Sequence, residues 1–184
     1  MNILIIVANP RKESFSFAMA DKYKELALAE NNTVEIIDLY RDEHQQPFYT
    51  YEAYNEPVIT PEIKYYQEKI SGADELVFVF PYWWGSMPAI LKNFIDSNLT
   101  RGYAFNYVNS RPVGLLTGKV VTLLSTTGAP TLVYKVLGVN RRMKLMFKKQ
   151  IIEFCGMKLK SSQIFGSVDT SGKNTDDILK SIKF

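Results

Sequence analysis

Phe80-Pro-Tyr-Trp-Trp-Gly-Ser-Met-Pro-Ala-Ile-Leu-Lys-Asn-Phe-Ile-Asp96 joins an apolar run, Glu75–Phe80, to a segment of helical periodicity from Pro88 to Leu99. The apolar run predicts a strand covered on both faces, and the spacing beyond Pro88 predicts a helix. Between them lies a loop with three aromatics, Tyr82, Trp83 and Trp84, together with Gly85 and two prolines. Open α/β sheets bind their ligands just outside the carboxyl ends of such strands. Two readings of the tryptophans stand side by side. Either they seal the edge of the core, or they face a planar ligand, since large apolar surface is seldom left bare without use.

Working outward, strands and helices alternate. Asn2–Ala8 is a continuous apolar run and predicts a first strand. Residues from about Phe17 to Glu30 are helical in spacing, Asn31-Asn32 turns the chain, and Thr33–Asp38 predicts the second strand. Residues 40–60 form a long polar and aromatic connection. Thr60-Pro61-Glu62 has the chemistry of a helix start, with Thr as N-cap and Pro at the first helical position, and Gly72 ends that helix. Glu75–Phe80, Lys119–Ser125 and Lys158–Phe165 complete the strands, and a last short helix begins near Asn174. The reading is an α/β domain spanning 1–184, a five-stranded parallel sheet with helices on both faces.

Composition narrows the function classes. A formal net charge of +3 is too mild to argue for nucleic acid. No run nears the ~20 apolar residues needed to insert in a membrane. A single cysteine, Cys155, allows no internal disulfide and fits a reducing, cytoplasmic setting. The basic residues Arg141, Arg142, Lys144, Lys148 and Lys149 interleave with Met143, Met146, Phe147, Ile151 and Phe154 as in an amphipathic helix with a solvated basic face.

Three loops follow strands at one sheet edge. The first, Asn9 to Phe17, lacks both GxGxxG and GxxxxGK[ST], so neither nucleotide fingerprint applies. It offers Asn9, Ser14, Ser16, Arg11, Lys12 and a helix start, which suits a phosphate; Ser14 or Ser16 as a simple N-cap is the competing reading. The second is the aromatic loop. The third, Ser125-Thr-Thr-Gly-Ala-Pro130, is built from small residues that let backbone approach a ligand.

These residues carry a resemblance. Ser14–Met19, Gly72–Asp74, Phe80-Pro81, Trp84, Met87–Phe94, Gly102–Tyr107, Thr126–Gly128 and Phe154–Gly156 are similar to the flavodoxin-like NAD(P)H:quinone oxidoreductases of the DT-diaphorase and bacterial quinone-reductase type. The resemblance implies a flavodoxin-like fold and a flavin-dependent, ping-pong transfer of two electrons from NADH or NADPH to quinone-like acceptors. It implies that Asn9, Ser14, Phe15 and Ser16 hold the phosphate end of the flavin. Pro81, Tyr82, Trp83 and Trp84 would flank its ring, with their amides at its polar edge, and Thr126, Thr127, Gly128 and Ala129 would approach from the other side. Tyr107 and Tyr134 are the implied hydrogen-bonding catalytic residues, and Phe105 and Tyr107 the substrate-pocket aromatics, shared across a homodimer interface. A metal has no place in this scheme. The family's histidine has no counterpart, Asn140 being the nearest polar residue, while His44 lies in the long connection. Gly128-Ala129 stands where the family carries a glycine pair.

Tyr103, Phe105 and Tyr107 alternate with period two, giving a short extended segment an aromatic side; with Tyr49, Tyr51 and Tyr54 it suits an interface or local packing. The chain ends at Phe184 without the extension of the longer FAD-using relatives, and the cations beside Ser14 suit a terminal phosphate, so FMN is favoured and FAD is the alternative. Two other roles are open: a flavodoxin-like electron carrier, for which the positive charge is unsuited, and a flavin-binding regulatory subunit of a membrane transporter.

Overall fold

Strand β1 (Asn2–Val7) sends Ile3, Ile5 and Val7 to one face of the sheet and Leu4 and Ile6 to the other, which is why its sequence shows no polar alternation. The computed structural model describes residues 1–50, 58–128, 130, 136–168 and 175–184. With β2 (Thr33–Asp38), β3 (Glu75–Pro81), β6 (Val120–Thr126) and β7 (Lys158–Phe165), β1 builds a parallel sheet in the order β2-β1-β3-β6-β7. The chain leaves β1 to one side for β2 and then returns to the other side for β3. The carboxyl edge between β1 and β3 is therefore the topological switch point, where adjoining loops diverge and leave a crevice.

Helix α1 (Phe15–Ala29) and the short α5 (Thr175–Ser181) cover the Ile5 face, and Met19, Ala20, Tyr23 and Ala27 are buried there. Helices α2 (Pro61–Gly72), α3 (Ala89–Asn98) and α4 (Val139–Met146) cover the other, and α4 runs on as π-helix over Phe147–Ile152. Phe80 and Phe147 stack there with centroids 5.3 Å apart, both fully buried. Each such ring contributes about 1.5–3 kcal/mol by leaving water.

Local chemistry sets the helix ends. Thr60 accepts the Ile63 N–H at 3.3 Å with Pro61 at the first helical position, as the sequence predicts. Asn31 takes the left-handed conformation, φ 59°, that ends α1. Helix α1 starts at Phe15, two residues before the expected Phe17, because Ser14 is extended (φ −120°, ψ 160°) and occupies the N-cap position.

An antiparallel ribbon of β4 (Phe105–Val108) and β5 (Arg111–Gly114) stands outside the main sheet. Asn109 and Ser110, at φ 51° and 62°, make its tight turn. At the amino end of the sheet, away from the three loops, Glu75 is completely buried. Lys160 donates to its Oε2 at 2.8 Å, and the hydroxyls of Tyr23 and Thr122 donate to its Oε1 at 2.7 and 2.6 Å.

Candidate functional site

At the switch point, β1 gives way to the loop from Ala8 to Ser14. Asn9 Nδ2 donates to Ser16 Oγ at 3.0 Å, and Asn9 Oδ1 accepts the Arg11 N–H at 3.0 Å, so one side chain folds the loop back over the start of α1. Arg41, held by Asp38 at 2.8 Å, donates to the carbonyls of Asn9 and Pro10 and clamps the loop from the β2 side. Sequence reasoning missed Arg41. Its only signal is that it follows β2, the strand next to β1.

Ser14 occupies the N-cap position, yet its Oγ makes no capping bond and is buried with no hydrogen-bond partner. The simple N-cap reading therefore fails for this residue. The first turn of α1 also directs the N–H groups of Phe15 and Ser16 outside the helix's own ladder. A buried hydroxyl without a partner costs about 1–3 kcal/mol. With the helix N-terminus and the exposed Arg11 and Lys12 beside it, this group fits an anion with several acceptor oxygens, such as a phosphate.

The aromatic loop is fixed by backbone pairing. Tyr82 N–H bonds Thr126 O at 2.8 Å, one step beyond the β3–β6 ladder. Trp83 and Ser86 exchange both backbone bonds, at 3.0 and 2.9 Å, around a two-residue turn of Trp84 and Gly85. Both turn residues have positive φ, 50° and 78°, the signature of a type I′ turn. A tryptophan held there is strained by about 1–2 kcal/mol. Trp84 is fully exposed and Trp83 is 41% exposed, so Trp84 seals no core. The amides of Tyr82 and Trp83 are engaged by Thr126 and Ser86, which leaves their side chains, not those N–H groups, to meet a ligand.

The third loop continues β6. Thr126 and Thr127 are buried, and Thr127 N–H bonds Phe165 O at 2.8 Å. Ser125 Oγ, just beneath, is a second buried hydroxyl with no hydrogen-bond partner. Gly128 has open space where a side chain would stand. Asn9, Ser14, Phe15, Ser16, Pro81–Trp84 and Thr126–Gly128 thus all lie at the carboxyl edge of three neighbouring strands. Ala129 and Tyr134 lie outside the described residues, as do Tyr51 and Tyr54.

Behind the aromatic loop opens a hollow of about 960 Å³, walled by Tyr82, Met87 and α3 on one side and by Met143, Met146 and Phe154 on the other. Tyr82, Gly85 and Ser86 join it to the aromatic loop. Phe105 of the ribbon lines it, 4.8 Å from the Phe154 ring, and meets Tyr107 edge-on at 5.9 Å. Tyr107 is 47% exposed, with Arg101 over its ring. Cys155 is buried in the wall of the hollow, and burial pushes its thiol up to about 11, so it is a packing residue at neutral pH. His44 stacks on Tyr65 at 3.6 Å with Asp42 at 3.2 Å from its Nδ1. Among the described residues no cluster of His, Cys, Asp or Glu could hold a metal ion, and no helix is long and apolar enough to cross a membrane.

The chain is 30% identical over 172 residues to an uncharacterized NAD(P)H oxidoreductase of Haemophilus influenzae, covering 91% of this chain and 85% of that one. It is 29% identical over 199 residues to the ribosyldihydronicotinamide dehydrogenase [quinone] of Mus musculus, covering 96% and 86%. An FMN-dependent NADH-azoreductase of Bacillus anthracis, solved in complex with FMN, superposes with a TM-score of 0.67 at 21% identity, covering 97% and 95%, and speaks to the fold. A family model for the flavodoxin-like fold matches residues 1–183, and the chain belongs to that family.

Proposed function

We propose that this chain is a flavin-dependent oxidoreductase carrying two electrons from NADH or NADPH to quinones or similar planar acceptors. The observation that carries the reading is the buried, unpartnered Ser14 Oγ at the head of α1, across the switch point from an exposed tryptophan turn. The oxidoreductase and quinone-dehydrogenase names of the full-length relatives support it, as does the FMN of the azoreductase of like fold.

Bound flavin would supply a carrier that accepts hydride from the nicotinamide and passes it on. The chain's part is binding and placement. Ser14 Oγ, Asn9, Ser16 and the first amides of α1 hold the phosphate of FMN, and Arg11 and Lys12 balance its charge. Trp83 and Trp84 give a flat wall for the ring. Thr126, Thr127 and the open Gly128, with Ala129 beyond it, allow close backbone approach on the other side. No acidic or nucleophilic side chain is called for; Tyr107 and Tyr134 are the hydrogen-bonding groups of the scheme.

The working form is a homodimer in which the ribbon of one copy, through Phe105 and Tyr107, completes the acceptor site of the other. Exposed Tyr107, Val108, Val113 and Leu115 support this, since aromatic and aliphatic surface of this kind marks interfaces. A monomeric mass by light scattering at micromolar concentration would refute the dimer alone.

The direct test is the absorption spectrum of the purified, FMN-reconstituted protein. Anaerobic NADH or NADPH should bleach the flavin bands, and menadione should restore them. Absence of bleaching with either donor would overturn the reductase reading.

A further inference from the structure

Helix α3 carries three buried polar residues, Asn93, Ser97 and Asn98, on a segment otherwise packed into the core. Asparagine and serine are poor helix formers, and a buried amide needs partners. Ser97 Oγ has no hydrogen-bond partner, and Asn98 Nδ2 donates to Phe94 O at 2.7 Å within the helix; the other partners of the two asparagines come from far along the chain. Asn93 Oδ1 accepts the Tyr49 N–H at 3.0 Å, and its Nδ2 donates to Pro47 O at 3.0 Å and to Gln46 O at 3.4 Å. Asn98 and Gln46 exchange side-chain amide bonds, at 2.9 and 3.1 Å. Two asparagines therefore fasten residues 46–49 across α3.

That segment buries little apolar surface of its own. Pro47 is exposed, Phe48 is 76% exposed and Tyr49 is half-buried, so the hydrogen bonds to α3 weigh heavily in its placement. Yet Phe48 and Tyr49 both line the hollow behind the aromatic loop, together with Met146 and Phe154. Of the two asparagines, Asn93 holds the backbone that flanks Phe48 on both sides, Pro47 O and the Tyr49 N–H, so the position of this aromatic pair at the rim of the hollow depends most directly on its amide. Asn93 itself also borders the hollow.

We propose that Asn93 is a positioning residue: it holds Phe48 and Tyr49 as one wall of the hollow, and that wall sets how tightly a planar aromatic acceptor binds. The inference rests on the quinone-reductase reading of the same site. Asn93 supplies no proton and takes no part in electron transfer. Its effect runs through the two aromatic side chains it orients.

The experiment compares Asn93→Ala, Phe48→Ala and the double variant in the FMN-reconstituted protein, with menadione as acceptor. Each single variant should raise the menadione KM about tenfold, with kcat changed less than about twofold, and the double variant should add little, because without Phe48 there is little left to position. Two readouts do not depend on turnover. Hydrogen exchange at the Tyr49 amide should accelerate in Asn93→Ala, since its acceptor is gone. Menadione quenching of tryptophan fluorescence in flavin-free protein should need correspondingly more quinone in all three variants. Phe48 is exposed, so its truncation leaves the fold standing, and an unchanged KM and quenching curve in Phe48→Ala would by themselves overturn the proposal. Additive effects, or a fall of kcat and flavin content in parallel, would overturn it too. If the parent protein is not bleached by NADH or NADPH, the functional reading fails; if it is bleached and the KM values stay flat, only the role of Asn93 fails.

Discussion

Gly114 and Gly156 meet backbone to backbone: a Cβ on Gly114 would stand 2.0 Å from the Gly156 nitrogen and 2.3 Å from the Cys155 carbonyl carbon. The contact locks the end of the ribbon onto the turn that leads into β7, and Leu116 N–H bonds Cys155 O at 2.9 Å beside it. Gly114→Ala forces backbone apart and should cost about 3 kcal/mol or more, the upper range for overpacking. Urea denaturation measures the loss; a change under about 0.5 kcal/mol would mean that the two segments do not touch in solution.

Ser14→Ala separates binding from folding. Its Oγ is buried without a partner, which costs about 1–3 kcal/mol, so by urea denaturation the apoprotein should lose no stability and should gain up to about that much. FMN affinity should fall about tenfold, or about 1.4 kcal/mol, by titration of the apoprotein. Equal losses in both measurements would make Ser14 a structural residue.

The sequence shows the five strands because the central ones are sheathed on both faces and must be apolar throughout. It shows the first strand of the ribbon as the period-two aromatics Phe105 and Tyr107 but not the return: Arg111-Pro112 argues against a strand, and Ser110 is an unusual residue for a left-handed turn position. Proline is tolerated there because the ribbon has only two strands, so Pro112 lies at an edge. Of the site, the three loops are legible since each follows a strand that periodicity locates. The bonds of Asn93 are not, because its partner Tyr49 lies 44 residues away and nothing local distinguishes it from a solvent-facing helix residue. Trp84 was visible as an aromatic in a loop, but its full exposure depends on the turn type that Gly85 permits.

Trp84→Gly should trade activity for stability. Glycine removes the left-handed strain of about 1–2 kcal/mol but brings an unfolded-state entropy cost of about 0.5–1 kcal/mol, leaving a net gain of about 0.5–1 kcal/mol. Quinone turnover should fall while the urea midpoint rises. A destabilised variant would show that the indole makes contacts in solution that outweigh the strain.

Alkaline pH should weaken the fold. Burial raises Cys155 to about 11 and also raises Tyr23 and Tyr66, so the folded state keeps protons that the unfolded state releases. The stability tied to Cys155 is present below its unfolded value of 9.0 and is lost as pH climbs through about 11. Lys119, lowered by burial, works in the opposite sense, and its penalty fades over the same range. The urea midpoint should drop between pH 9 and 11, and at pH 8 native Cys155 should resist a thiol reagent that modifies it at once in urea. Rapid native modification would refute the burial.

Lys160→Met would leave the Glu75 carboxylate buried without its cation and should cost about 3–5 kcal/mol. Adding Glu75→Gln removes the uncompensated charge and should recover much of the deficit. A deficit that Glu75→Gln leaves untouched would point to lost contact with the Phe184 ring, which lies 4.0 Å from the ammonium.

The bond from Tyr82 N–H to Thr126 O, with the mutual pair of Trp83 and Ser86, gives the aromatic loop its shape before anything binds. Freezing a residue's backbone costs roughly 1–2 kcal/mol, and here that ordering belongs to the folding step. An incoming ring system meets a wall already in place, so its capture should be limited by encounter and not by loop rearrangement. Differences in grip among variants of this wall would then appear as residence time, with arrival rates nearly constant.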